Sequence, residues 1–180
     1  QMCIRDRPYS GFMDKQSAWT ANLIVNNKIE ESLIEITLKG PTLLFNDNYT
    51  ISITGGDFSP LINDLPVKMY EPVNVKLGDK LKINDTKSGA RCYLAISGGI
   101  DLKKLFGSKS FFNNISESYQ LKKGDEIKIS NNLSSNVLKK TILNFKVSKL
   151  LNVFKGPEFN LLNTCLLCTS DAADDIPGVD

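Results

Sequence analysis

Lys87-Ser-Gly-Ala-Arg-Cys-Tyr-Leu-Ala-Ile-Ser-Gly-Gly-Ile-Asp-Leu-Lys-Lys-Leu-Phe-Gly-Ser-Lys-Ser110 is the stretch on which the reading of this chain turns. Arg91 to Ser97 is a nearly continuous apolar run closed by two glycines, the pattern of a buried strand. Gly98-Gly99 permits backbone angles closed to other residues, and lets a ligand or another chain segment come close to the main chain. Asp101 and the turn Gly107-Ser108-Lys109-Ser110 place polar groups just past the strand. Buried strand, glycine corner and polar loop mark this as the expected functional region.

The flanking sequence supplies more strands. Ile34, Ile36 and Leu38 alternate with Glu35, Thr37 and Lys39, as in a strand with one wet face. Thr42 to Phe45 and Thr50 to Thr54 read as two further strands, with Ile51 and Ile53 inward. The latter ends at Gly55-Gly56-Asp57, a second glycine corner followed by an acid. Asn63-Asp64 lies between Leu61-Ile62 and Val67-Lys68-Met69, and this pair tolerates the positive φ of a hairpin turn. Val73 to Lys76 and Lys80 to Ile83 follow. Leu77-Gly-Asp-Lys-Leu-Lys-Ile83 recurs as Lys123-Gly-Asp-Glu-Ile-Lys-Ile129, each copy setting Gly-Asp in a turn before an alternating strand. Asn144 to Phe154 reads as a later strand. One helix is expected, from Lys15 to about Asn26, with Asp14 as its N-cap, Trp19 and Leu23 on one face, and Asn26-Asn27 as its stop. Many short strands after a single helix predict an antiparallel barrel or sandwich rather than a parallel, doubly wound sheet.

Composition narrows the chemistry. The chain has 180 residues, 41% hydrophobic and 23% charged, the balance of an ordinary globular domain. A net charge of +2 with scattered lysines argues against a nucleic-acid surface. No run approaches the roughly 20 apolar residues of a membrane span, and Arg5, Asp6 and Arg7 break any secretory leader, so a cytoplasmic protein is expected. The chain has no histidine. Ser-His and Cys-His nucleophiles and histidine-ligated metals are therefore not expected, and acid-base work falls to Asp, Glu, Lys, Tyr or the backbone. Of the cysteines, Cys92 reads as a small buried hydrophobe, and Cys165-Leu-Leu-Cys168 is a lone CxxC without a second pair. No metal site is expected. Neither GxxxxGK[ST] nor GxGxxG occurs, so nucleotide binding by this chain has no motif behind it.

Both ends read as foreign. Residues 1–7 and 165–180, which include Gln1-Met-Cys-Ile-Arg-Asp-Arg7 and Cys165-Leu-Leu-Cys-Thr-Ser-Asp-Ala-Ala-Asp-Asp175, resemble translated sequencing-adaptor read-through. Disordered natural termini are the alternative. On the first reading, residues 8–164 form the domain and the reading frame is cut at both ends.

The glycine corners carry two meanings each. Gly98-Gly99 followed by Asp101, and Gly55-Gly56 followed by Asp57, could present amides to an anion or a developing oxyanion. Either could equally be a β-bulge or barrel corner with no ligand. Arg91, opening a buried run, is expected to pair with a carboxylate or to bridge to an anion. Val67-Lys68-Met69 lacks the paired methionines of a biotinylated-lysine hairpin, so biotin is not expected to be carried on this chain.

Several stretches together resemble one family. They are Ser10-Gly-Phe-Met-Asp14 with Ala21-Asn22-Leu-Ile-Val25, Leu33-Ile-Glu-Ile-Thr-Leu-Lys-Gly-Pro41, Ile53-Thr-Gly-Gly-Asp57, Gly89 to Asp101, Phe106-Gly-Ser-Lys-Ser110 and Lys155-Gly-Pro-Glu-Phe159. The resemblance is to the biotin-dependent carboxyltransferase domain, subdomains A and B, also called allophanate hydrolase subunit 2. It runs from about Pro8 to Asn163 and covers the N-terminal part of the domain. It implies a cyclophilin-like antiparallel β-barrel with one short N-terminal helix, truncated. It also implies catalytic roles for Asp57 and Asp101, and substrate binding by Asp14, Asn22, Gly55, Gly56, Arg91, Gly98, Gly99, Ser108 and Lys109. The family usually has Arg where Lys109 stands and Thr where Phe111 stands, and Asn113 to Ser118 replaces its glycine-rich stretch. Lysine cannot supply arginine's two-pronged contact.

The activity that the resemblance implies first is that of the C subunit of an ATP-dependent 5-oxoprolinase. Such a protein would open 5-oxoproline to glutamate with two partner subunits that bind ATP, and the present fragment alone would be inactive. A biotin-dependent carboxyltransferase acting on urea or a related amide is the second expectation. A non-catalytic regulator that binds a kinase-inhibitor protein is the third.

Overall fold

The computed structural model describes residues 11–104, 109–110 and 121–130, all within one unit, Gln1–Ile142. The order is α1 (Lys15–Ile24), β1 (Ile34–Thr37), β2 (Thr42–Leu44), β3 (Tyr49–Asp57), β4 (Leu61–Ile62), β5 (Leu65–Pro66), β6 (Val73–Val75), β7 (Lys80–Lys82) and β8 (Ser88–Ile96). The expected class holds: the described chain is mainly β, antiparallel, with one short helix. The barrel is corrected in one respect. The strands form two four-stranded sheets, β1-β8-β3-β6 and β2-β7-β4-β5, and among the described residues these do not close into one barrel.

Alternation along the strands builds two faces. Ile34 and Ile36 of β1, Ile51 and Ile53 of β3, and Cys92, Leu94 and Ile96 of β8 point one way. They meet Leu81 of β7, Phe45, Phe58 and Ile83 in a core shared with the second sheet. Burying one such aliphatic side chain stabilises by about 1.5–3 kcal/mol, so this interior is the main source of the fold's stability. The opposite face of the first sheet carries Tyr93 and Ala95, and α1 covers it with Ala18, Ala21 and Val25.

Trp19 lies off the buried side of α1. It is 37% exposed, whereas the buried side of α1 is made of Ser17, Ala18, Thr20, Ala21 and Asn22. Small residues let the helix backbone approach the sheet closely. Ser52 Oγ then donates to the Ala21 carbonyl at 2.6 Å, and Thr54 Oγ1 to the Ser17 carbonyl at 2.7 Å. An indole would hold the two layers too far apart for either bond.

Turn chemistry follows the local sequence. Asp14 caps α1 by accepting from the Ser17 amide at 3.1 Å. Asn63 and Asp64 take φ of 49° and 65° in the β4–β5 hairpin. The two Gly-Asp phrases fold alike: Asp79 accepts from the Lys76 amide at 2.8 Å, and Asp125 from the Lys122 amide at 2.7 Å. Gly78 and Gly124 carry φ of 88° and 96°. Among the described residues, the first copy leads into a paired strand, β7, and the second contributes the isolated bridge Ile129–Ile100. Leu38 departs from the expected strand. It takes φ of 58° and is 57% exposed, so the alternation stops at Thr37.

Candidate functional site

The two glycine corners lie at different places along β8. Gly55 pairs with Cys92 and Asp57 with Ser88, whereas Gly98 and Asp101 lie beyond the opposite end of the strand. β8 is nine residues long, about 26 Å at the usual strand rise. Asp57 and Asp101, both exposed, therefore stand at opposite ends of the sheet. Asp57 accepts from the Ser59 amide at 2.8 Å, and the Asp101 amide donates to the Lys128 carbonyl at 2.8 Å.

At the far end, the amides of the glycine pair are already used. Gly98 N–H donates to Asn27 Oδ1 at 2.9 Å, and Gly99 N–H to the Ile96 carbonyl at 3.0 Å. A Cβ on Gly98 would stand 2.0 Å from the Ser130 carbonyl, and one on Gly99 2.3 Å from Glu31. Here the glycines admit other chain segments. Asn22, fully buried, donates to the carbonyls of Ile29 at 3.3 Å and Glu31 at 2.8 Å, and accepts from Asn27. Lys109 Nζ meets Glu31 Oε1 at 2.6 Å and the Ile100 carbonyl at 3.3 Å. Burial by itself would raise the Glu31 carboxyl, but the bonds from Lys109 and the Ser32 amide outweigh it and leave it below its ordinary value. Ser108 lies outside the described residues, as do Phe111, the stretch 113–118, Cys3, the CxxC pair, both foreign-looking ends and the strand expected from Asn144.

Gly55 and Gly56 interrupt β3 without ending it. The register with β8 shifts between Gly55 and Asp57, which is a β-bulge and one of the two expected meanings of this pair. A Cβ on Gly55 would meet the Arg91 carbonyl at 2.6 Å, and one on Gly56 the Ser88 carbonyl at 2.7 Å. The Tyr70 hydroxyl satisfies the bulge, accepting from Gly55 N–H and donating to Gly55 C=O, each at 2.9 Å.

Two of the expected residues do meet in a cavity. Asp14 and Arg91, with Gly11, Phe12, Met13 and Lys15, line an open cleft of about 760 Å³. It lies where the loop entering α1 crosses the helix-side face of the first sheet. Arg91 pairs with Glu35, the carboxylate partner expected of an arginine opening a buried run. Glu35 Oε2 also accepts from the Met13 amide at 3.0 Å. The Asp14 amide donates to Tyr93 Oη at 2.8 Å. Burial pushes the Tyr93 phenol up to about 12, which keeps it protonated at neutral pH. Of these groups Arg91 faces the cleft with N–H donors able to meet a polar oxygen, while the buried Tyr93 hydroxyl is taken by the Asp14 amide and by Glu35.

Sequence reading missed Glu35, Tyr93, Asn27 and Glu31. Tyr93 left a trace, since a phenol inside a buried run needs a partner for its hydroxyl. Glu35 left none, because its alternation reads as a solvent-facing side that the incoming loop in fact covers. Among the described residues no three His, Cys, Asp or Glu side chains come together as a metal-ligand set. No helix among them is long and apolar enough to cross a membrane.

Among the described residues, a mainly β fold with one capped helix, two antiparallel sheets and this cleft defines the class. The chain belongs to the family described as carboxyltransferase domain, subdomain A and B, which it matches over residues 7–167. Among curated proteins, it is 44% identical over 105 residues to the urea amidolyase of Lachancea kluyveri, covering 58% of this chain and 6% of that protein. It is 26% identical over 156 residues to the C subunit of 5-oxoprolinase from Escherichia coli K12, covering 84% of this chain and 50% of that protein. Among solved structures, the urea amidolyase of Kluyveromyces lactis superimposes with a TM-score of 0.67 at 39% identity, over 73% of this chain and 8% of that one. The chain thus spans from about a twentieth to half the length of the curated relatives it matches.

Proposed function

We propose that the chain is part of an enzyme acting on a small amide, working as the C subunit of an ATP-dependent 5-oxoprolinase that opens 5-oxoproline to glutamate with two partner subunits. The observation that carries this reading is the alignment with the E. coli protein, which takes in 84% of the chain and half of a relative that is itself one subunit of an enzyme. Opening a lactam with water requires an activated carbonyl. ATP held by the partner subunits would supply that activation, consistent with the lack of a phosphate-loop motif here. Substrate contact is assigned to Asp14 and Arg91, which line one cleft. Gly55, Gly56, Gly98, Gly99, Asn22 and Lys109 would support the site by holding strands and loops together. Asp57 and Asp101 cannot both touch one small substrate, so at most one of them would act in the same reaction step.

A second reading has its own support. Identity is higher to the urea amidolyase of L. kluyveri than to the E. coli protein, 44% against 26%. This favours a carboxyltransferase that moves a carboxyl group from biotin to urea, the biotin being carried on another domain.

The test uses the full-length protein with its partner proteins. Glutamate release from 5-oxoproline is measured with ATP, beside biotin- and ATP-dependent incorporation of bicarbonate into urea. Glutamate release that stops when this protein is omitted supports the first reading. Unchanged release without it sinks that reading, and urea carboxylation in its place establishes the second.

A further inference from the structure

Both walls of the cleft hang from one side chain. Glu35 holds Arg91 through Oε1 and the Met13 amide through Oε2, the latter at 3.0 Å. Tyr93, its cross-strand partner between β1 and β8, is hydrogen-bonded to Glu35 and accepts the Asp14 amide at 2.8 Å. Tyr93 is fully buried, while the side chains of Arg91 and Glu35 keep 32% and 26% of their exposure. The pair is therefore anchored below and open above. A guanidinium carries five N–H donors in a rigid fork. Glu35 engages one terminal nitrogen of Arg91, and Arg91 also lines the cleft.

We infer that Glu35, seated on Tyr93, is a positioning residue that sets the Arg91 fork against the Met13-Asp14 backbone so that Arg91 meets an oxygen of a planar amide or carboxylate ligand. This rests on the reading of the cleft as the substrate site. The physical reason is orientation. A lone exposed arginine samples many rotamers, whereas one held by a carboxylate that is itself tied to the opposite wall presents its donors in one direction. Misplacing a binding group by about 1 Å can cost about 100-fold in rate.

The experiment is steady-state kinetics on the full-length protein with its partners, using 5-oxoproline or urea, whichever is turned over. Parent, R91A, E35Q, E35D, Y93F and the double variant E35Q/R91A are compared, each with a thermal melt. E35Q is expected to raise KM by about tenfold to a hundredfold with a smaller change in kcat. E35D should recover part of the loss, and E35Q should add little in the R91A background. Parental KM in E35Q beside an impaired R91A overturns the inference, as do multiplicative effects in the double variant. Failure of both E35Q and Y93F to fold would also overturn it, by assigning the pair to stability alone. Parental kinetics in R91A would instead remove the cleft as the substrate site, an outcome distinct from the others.

Discussion

The Gly98 amide donates to Oδ1 of Asn27 at 2.9 Å in a buried setting, tying the end of β8 to the turn that closes α1. The Asn27 Nδ2 donates to the Ile96 carbonyl at 2.8 Å and to Asn22 Oδ1 at 3.2 Å. One side chain thus satisfies groups from the helix, the strand end and the glycine corner together. Asn27→Ala strands all three at once and is expected to cost about 3 kcal/mol in urea denaturation. A loss below about 1 kcal/mol would show that water substitutes for the amide.

Two glycines with similar backbone angles should respond differently to a methyl group. Gly98 has φ of 92° and its Cβ would lie 2.0 Å from the Ser130 carbonyl, whereas Gly78 has φ of 88° and nothing within 4 Å. Gly78→Ala carries only left-handed strain, about 1–2 kcal/mol. Gly98→Ala adds a backbone collision, so its expected loss is at least about 2 kcal/mol larger. Equal losses in chemical denaturation would mean that the approach of Ser130 is not structural.

Acid should remove the benefit of the Glu31–Lys109 pair. The Glu31 carboxyl lies below its ordinary value of 4.5 in the folded protein. Its contribution is therefore complete above the unfolded value, and it disappears as pH falls through the folded one. Lys109→Met should be less stable than the parent at about pH 7, with the gap narrowing below about pH 4.5. Denaturation midpoints that keep a constant gap down to about pH 3 would contradict this assignment.

Cys92 should be chemically silent in the native protein. It is fully buried, and desolvation pushes its thiol up to about 12. Alkylation at about pH 8, read by peptide mass spectrometry, should label Cys92 only after unfolding. Labelling of the native protein at the rate of an exposed thiol would place the β8 core in frequent contact with solvent.

Features that depend on neighbours along the chain are legible in the sequence. The Asp14 cap, the Asn63-Asp64 hairpin and the two Gly-Asp turns depend on backbone preferences within a few residues, and each forms. The inward faces of β1 and β3 are legible because a period of two leaves a clear apolar row, whereas the continuous run of β8 marks a buried strand without telling its two faces apart. The candidate site is legible only in part. Asp14 and Arg91 carry signals of their own, but Glu35 reads as a wet-face residue.

Sequence alone determined the antiparallel β class, the helix α1 and its start, the turns and the family, because each is written in local chemistry or in an ordered series of short motifs. Tertiary structure decided that the strands divide between two sheets, that Gly55 sits inside a bulge, and that Asp57 and Asp101 stand at opposite ends of β8. It also decided that a loop from before α1 covers Glu35. These outcomes depend on which distant segments share a strand partner, and strand register carries no mark within any short stretch of residues.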